Sequence, residues 1–292
     1  MKKTLYCIHV LPSELEMLER LIFRLRKALS YLDSNDDLTL KVTLNLNPEL
    51  TDWDNSEYKQ EYFINRFEKL FNGIKNINEI LLDTSCWGTT QQKRDCIKLD
   101  YDQFIFCDPD IIFHEHLLKH QLNFSYNLKG NYLISPSLPK FRDKTWDSLC
   151  HQDFIHESYD ALMQDPEAAI KAENQQIEYI VVEEIPYIKF SCGFHTLYSK
   201  EFWNTTGIPE ELGGYGPEDT YAILAGSKER ANGVEIKQFV IKSIYIVEEY
   251  NNRTPSFINK IKIIDKKQEM FDKSIIFIGE FLETIKQYIN DK

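Results

Sequence analysis

Asp108 and Asp110 flank Pro109 directly behind the apolar run Gln103-Phe104-Ile105-Phe106-Cys107. That run has the length and composition of a buried strand. Side chains at i and i+2 of an extended backbone point the same way, so the two carboxylates leave the strand end together. Open α/β sheets bind ligands in the crevice beyond the C-terminal ends of their strands. Hard divalent cations take oxygen ligands, most often from carboxylates. The pair therefore has the chemistry to hold a metal at the sheet edge and, through it, a phosphorylated ligand. Taken singly, an Asp-x-Asp is also an ordinary turn or helix-cap arrangement.

A second constellation lies about a hundred residues downstream. Phe190-Ser191-Cys192-Gly193-Phe194-His195-Thr196-Leu197 reads as a Gly-bearing strand, and Tyr198 to Trp203 as the start of a short aromatic helix. Gly207 to Tyr221 follows as a Gly-rich loop, with Gly213, Gly214 and Gly216, then Pro217, Glu218 and Asp219. The glycines open backbone angles closed to other residues, and Pro217 suits the first turn of a helix. Glu218 and Asp219 then fall where the helix dipole favours negative charge. Acidic residues at a helix start are also common for stability alone.

In this order and spacing the two segments resemble the GT-A glycosyltransferases, over residues 5 to about 250. That family carries an Asp-x-Asp that binds metal and nucleotide diphosphate, and downstream a Gly-Gly-Tyr-Gly-Pro-Glu-Asp type segment. The resemblance implies a metal-dependent transfer of a sugar from a nucleotide-sugar donor, a UDP-sugar first among them, to an acceptor hydroxyl. It implies inversion, with Asp219 as base beside Glu218, and a divalent Mn or Mg held by Asp108 and Asp110. It implies donor contacts from Pro12, Ser13 and Glu14 and from Lys93, Arg94 and Asp95. It implies acceptor contacts from Gly193, His195, Trp203, Gly214, Tyr215 and Gly216. The family often adds a late His to the metal. Here the matching stretch, Ser243 to Tyr250, has no His, so Glu248 or Glu249 takes its place or the site has two Asp ligands only. His195 either lines the acceptor pocket or sits in the core.

The elements that position these residues follow from periodicity. Residues 4 to 10 read as a first strand, and Ser13 with Glu16 as a capping box. Leu15, Leu18, Ile22, Leu25, Leu29 and Leu32 then mark a helix face. Leu38 to Leu46 alternates as a strand. Helices are expected over about 57–71 and 91–99, and short strands over 79–82 and 103–107. Alternating strands and helices imply an α/β fold with a mixed, mostly parallel central sheet flanked by helices. With the resemblance, this implies a GT-A-like catalytic domain over 1–265: a Rossmann-like nucleotide-binding half over about 1–135 and an acceptor half over about 136–265. A polar helix is expected near 157–173, and a strand region, broken once, over 234–250. A C-terminal helix over 266–292, with Phe271, Ile275, Ile278, Phe281, Leu282, Ile285 and Ile289 at helical spacing, is expected to pack on the domain. The alternative of membrane contact through this helix is not favoured by its mixed charge.

Composition narrows the classes. The 292 residues carry 42% hydrophobic and 13% aromatic side chains, enough for a sizeable core. A net charge of −12 argues against a nucleic-acid partner. The N-terminus is broken too early by Pro12 and Glu14 to read as a signal peptide. Six cysteines without a Cys-x-x-Cys spacing are expected as free thiols in a cytoplasmic protein. Two other readings stand: a non-catalytic nucleotide-sugar or carbohydrate-binding protein of the same fold, and a sugar-phosphate nucleotidyltransferase. The second calls for a Gly-rich loop after the first strand, where the chain reads His9-Val10-Leu11-Pro12-Ser13-Glu14.

Overall fold

The first strand, β1 (Thr4–Val10), is buried along its whole length. The structure is a computed structural model that describes residues 1–33, 36–48, 50, 53, 58–85, 88–137, 139–140, 159–162, 166–185, 193–248 and 265–290. A 3-10 turn, Pro12–Glu14, leads from β1 into helix α1 (Leu15–Ser30). The expected Ser13/Glu16 box is corrected here. Glu14 Oε2 accepts from the Leu11 N–H at 2.8 Å, because Pro12 already occupies the first position of the turn. Helix α1 buries Leu15, Leu18, Leu21, Ile22, Leu25 and Leu29, the stripe of a helix lying on a sheet.

The chain continues through β2 (Leu38–Asn45), α2 (Gln60–Lys69), β3 (Glu79–Ser85), α3 (Thr89–Cys96) and β4 (Gln103–Cys107). Next come β5 (Ile111–Ile112), α4 (Leu117–Ser125), β6 (Asn131–Ser137), β7 (Pro139–Lys140) and β8 (Tyr159–Leu162). Helix α5 (Pro166–Glu173) and strand β9 (Val182–Ile185) follow. The polar helix expected from 157 therefore begins only at Pro166. Residues Tyr159–Leu162 are extended instead and pair with Pro139–Lys140. Strand β10 (His195–Ser199), α6 (Lys200–Thr206), α7 (Glu218–Ala231), β11 (Ile236–Tyr245), β12 (Val247–Glu248) and α8 (Asp265–Asn290) complete the order.

Eight strands form one sheet in the order β3-β2-β1-β4-β10-β6-β11-β9. The pairs β3-β2, β2-β1, β1-β4 and β6-β11 are parallel. Strand β10 runs antiparallel to both β4 and β6, and β9 antiparallel to β11. The architecture is a mixed, mostly parallel α/β sheet, and strands from both sides of residue 135 share it. Because β10 is reversed, its start lies beside the end of β4. Asp108 N–H accordingly donates to Phe194 O at 2.9 Å.

Helix α8 covers α7. Tyr221 of α7 packs on Phe277 and Phe281, at ring-centroid distances of 6.1 and 5.1 Å, and Ser274 and Ile278 are buried. Among the described residues no helix is long and apolar enough to cross a membrane.

Candidate active site

Gly88, the N-cap of α3, lies against the 213–216 loop. A methyl group on Gly88 would overlap the Gly214 carbonyl, so only glycine lets the two backbones come this close. At the second residue of the helix, the Thr90 N–H donates to Gly214 O at 3.1 Å. Thr90 Oγ1 accepts from the Gly216 N–H at 2.9 Å. Its own proton is within reach of Glu218 Oε2 at 3.3 Å and Gly216 O at 3.4 Å. Of the three loop glycines, Gly213 alone has a positive φ, +65°. Gly216 serves closeness instead: a Cβ there would sit 2.6 Å from Ser274 Oγ on α8.

Lys93 lies one turn beyond Thr90 on the same helix face. Its ammonium forms an ion pair with the Glu218 carboxylate and lies 4.0 Å from Asp108 Oδ1. Lys93 and Glu218 are 7% and 9% exposed, whereas Asp108, deep among protein atoms, keeps 38% of its side chain open. The site thus has a closed joint behind and a carboxylate at its mouth. Burial works to lower the Lys93 pKa, but Glu218 and Asp108 outweigh it and hold the ammonium above its ordinary range.

Burial pushes Asp108 up to about 8; Lys93 opposes this, and Asp110, Glu218 and Asp219 add to it. Asp219 is pushed up to about 6 by burial and then by Glu218, against Lys93 and the Thr220 N–H, which donates to Asp219 Oδ1 at 2.6 Å. Glu218, Asp108 and Asp219 therefore surround Lys93, and Asp110 acts on Asp108 from beside it. A cation held by Asp108 and Asp110 would meet carboxylate oxygens only, which suits a hard divalent ion rather than zinc. The backbone of Glu248 pairs with Ile111, immediately after Asp110, while its side chain, like Glu249, lies outside the described residues. Among the described residues no three His, Cys, Asp or Glu side chains converge as a metal set.

Other expected site residues are placed differently. Arg94 is buried and donates from Nε to Ile208 O at 2.9 Å and from Nη2 to Pro209 O at 2.6 Å and Gly213 O at 3.3 Å. It braces the loop rather than presenting its guanidinium to a donor. Asp95 is exposed and pairs with Lys98 at 3.1 Å. Pro12 and Ser13 are buried, and Glu14 caps the turn. His195 is fully buried, with Nε2 2.9 Å from the Tyr6 hydroxyl. Trp203 packs on Tyr198 and Phe106 in the core, with ring centroids 4.7 and 5.8 Å away. His195 and Trp203 thus lie in the core, which for His195 is the second of its two expected placements. Glu218, expected beside the base Asp219, is the partner of Lys93 and Thr90. Gly193 is buried beside Asp108, and Gly214, Tyr215 and Gly216 are half-buried in the loop.

Sequence reasoning missed Gly88 and Thr90. The signal was a glycine immediately before a helix start, which marks a close backbone approach as readily as a cap.

No protein-family profile matches the chain, and no curated protein matches it. Among solved structures it is similar to S. aureus TarS 1–349 in complex with UDP-GlcNAc, with a TM-score of 0.49 and 12% identity, covering 92% of this chain and 64% of that one. It is similar also to the mannosyltransferase PcManGT from Pyrobaculum calidifontis in complex with GDP-Man and Mn2+, with a TM-score of 0.48 and 12% identity, covering 87% of this chain and 58% of that one. The chain thus spans less than two thirds of the length of either neighbour.

Proposed function

We propose that the chain is a metal-dependent GT-A-type glycosyltransferase that moves a sugar from a nucleotide-sugar to an acceptor hydroxyl with inversion. The observation that carries this reading is the junction at Lys93. It joins the Asp108 end of β4 to the Glu218-Asp219 start of α7, as a donor site must be joined to its base.

In this reading Asp108 and Asp110 would hold Mn or Mg, with Glu248, whose backbone pairs with Ile111, the candidate third ligand. The cation supplies charge to the departing diphosphate. Asp219 takes the acceptor proton as the hydroxyl attacks the anomeric carbon. A carboxyl pushed up to about 6 is a stronger base than an ordinary Asp and is still mostly ionised at pH 7. Lys93 and Thr90 position Glu218, and thereby the first turn of α7. Arg94 and Gly88 hold the loop through which an acceptor would enter. A UDP-sugar is the first donor to test.

The test is a thermal-shift panel of UDP- and GDP-sugars with and without Mn, since a ligand of the folded state raises the melting temperature. A Mn-dependent rise that is lost in Asp108→Asn and Asp110→Asn, together with sugar transfer or slow donor hydrolysis, is expected. Unchanged nucleotide affinity and Mn dependence in both variants would sink the metal assignment. Saturable binding without turnover would leave a binding protein of the same fold.

A further inference from the structure

Strand side chains alternate, so Cys7 and His9 face the same side of β1. Helix side chains four apart lie one above the other, so Gln92 and Cys96 share a face of α3. His9 Nδ1 and Gln92 Oε1 are hydrogen-bonded at 2.6 Å. Two residues back along β1 is about 6.6 Å, and four residues along α3 is about 6 Å. With the helix running against the strand, a meeting of the first pair brings the second pair together as well. The same register sets the Cys7 and Cys96 thiols facing each other between β1 and α3, with the Cys7 thiol also 4.0 Å from Leu5 O. Both are free and buried.

Cys96 also contributes to the wall of a cleft of ≈ 380 Å³, with Lys41, Thr43, Asp83, Gln92 and Asp95. Both cysteines are buried, at 0% and 1% exposure, and of the two Cys96 alone lines the cleft. One sulfur therefore borders a cavity and the other stands behind it. Among the described residues no third metal-ligating side chain completes a metal set with them, so the pair is a dithiol rather than a soft-metal site.

We propose that Cys7 and Cys96 are a redox-active pair that hydrogen peroxide, entering by this cleft, closes to an intramolecular disulfide. The Cys96 thiolate attacks one peroxide oxygen; the O–O bond breaks, and with one proton the products are a sulfenic acid and water. The Cys7 sulfur then displaces the sulfenic hydroxyl, which leaves as a second water with the Cys7 proton. Two thiols are oxidised and one peroxide is reduced. The environment divides the roles. Its neighbour Cys7, and then His9 and Lys41, draw Cys96 down to about 5 against its burial, and burial pushes Cys7 up. A low-pKa thiol bordering a cavity is the attacking one. An S–S bond is about 2.05 Å long, so closure draws the last turn of α3 toward β1. Helix α3 is the element that carries Thr90, Lys93 and Arg94, and the disulfide is thereby wired to the 213–216 loop.

The test uses the intact reduced protein, exposed to a small excess of hydrogen peroxide, alkylated and mapped by mass spectrometry. The expected result is a Cys7–Cys96 linked peptide, loss of two alkylatable thiols per chain, and recovery of both with dithiothreitol. In Cys7→Ser, dimedone should trap a sulfenic acid at Cys96. In Cys96→Ser, Cys7 should stay reduced. The wild-type map stands even if a variant fails to fold. Cys7 and Cys96 both remaining alkylatable, or Cys96 oxidised while Cys7 stays reduced in the wild type, overturns the proposal.

Discussion

Lys93 and Glu218, 125 residues apart in the chain, form an ion pair with both side chains less than a tenth exposed. Removing one member of a buried pair leaves the other charged and unpartnered, which costs about 3–5 kcal/mol. Lys93→Met should lose that much in urea denaturation. Lys93→Met combined with Glu218→Met should regain most of it, because the stranded charge is gone. A single variant within about 1 kcal/mol of wild type would show that the pair is not the joint between α3 and α7.

Gly88→Ala tests the backbone contact with Gly214. The added methyl must push α3 off the loop, a strain of about 1–3 kcal/mol. Donor-sugar turnover should fall with it, since Thr90 and Lys93 move too. Gly73→Ala is the control: it has a φ of +75° and open space around it, so it should cost about 1 kcal/mol and leave turnover intact. Equal effects of the two on turnover would reject the close contact as a site requirement.

His195 gives the stability curve a definite sign. Burial lowers its pKa to about 4 in the folded protein, against about 6.5 unfolded. Its stabilising contribution is therefore full above about pH 6.5 and declines as pH falls toward 4, by up to about 1.4 kcal/mol per pH unit. Asp108 and Asp219, both pushed up, act in the opposite direction, so the wild-type curve alone does not isolate it. The stability gap between wild type and His195→Leu should narrow steadily from pH 6.5 to 4. Parallel curves would mean that His195 titrates normally.

Asp219→Asn should leave donor binding intact and lower kcat by about 10²–10⁴-fold. Wild-type kcat should fall as pH drops below about 6, where the Asp219 carboxylate takes up its proton, and the variant should lack that limb. Capping alone predicts a different pattern: a stability loss of about 0.5–2 kcal/mol with near-normal kcat. Melting temperature and kcat measured together separate the two.

Residue order alone located both ends of the candidate site. An apolar run ending in Asp108-Pro109-Asp110 declares a strand end, and Gly-Pro followed by Glu218-Asp219 declares a helix start, because strand alternation, helix caps and proline geometry are local properties. The strands over 4–10 and 103–107 and the α1 face were legible for the same reason. The cap slipped from Ser13 to Glu14 because two adjacent polar residues compete for one turn and Pro12 decides between them. What each polar group meets across the fold was not legible. Whether Lys93 faces a donor or Glu218, whether Arg94 binds a ligand or loop carbonyls, and whether His195 and Trp203 line a pocket or fill the core all depend on strand order. Above all they depend on the reversed strand β10 lying between β4 and β6. That order is set by the packing of apolar faces over the whole sheet, a sum over contacts distant in sequence, and residue spacing carries no record of it.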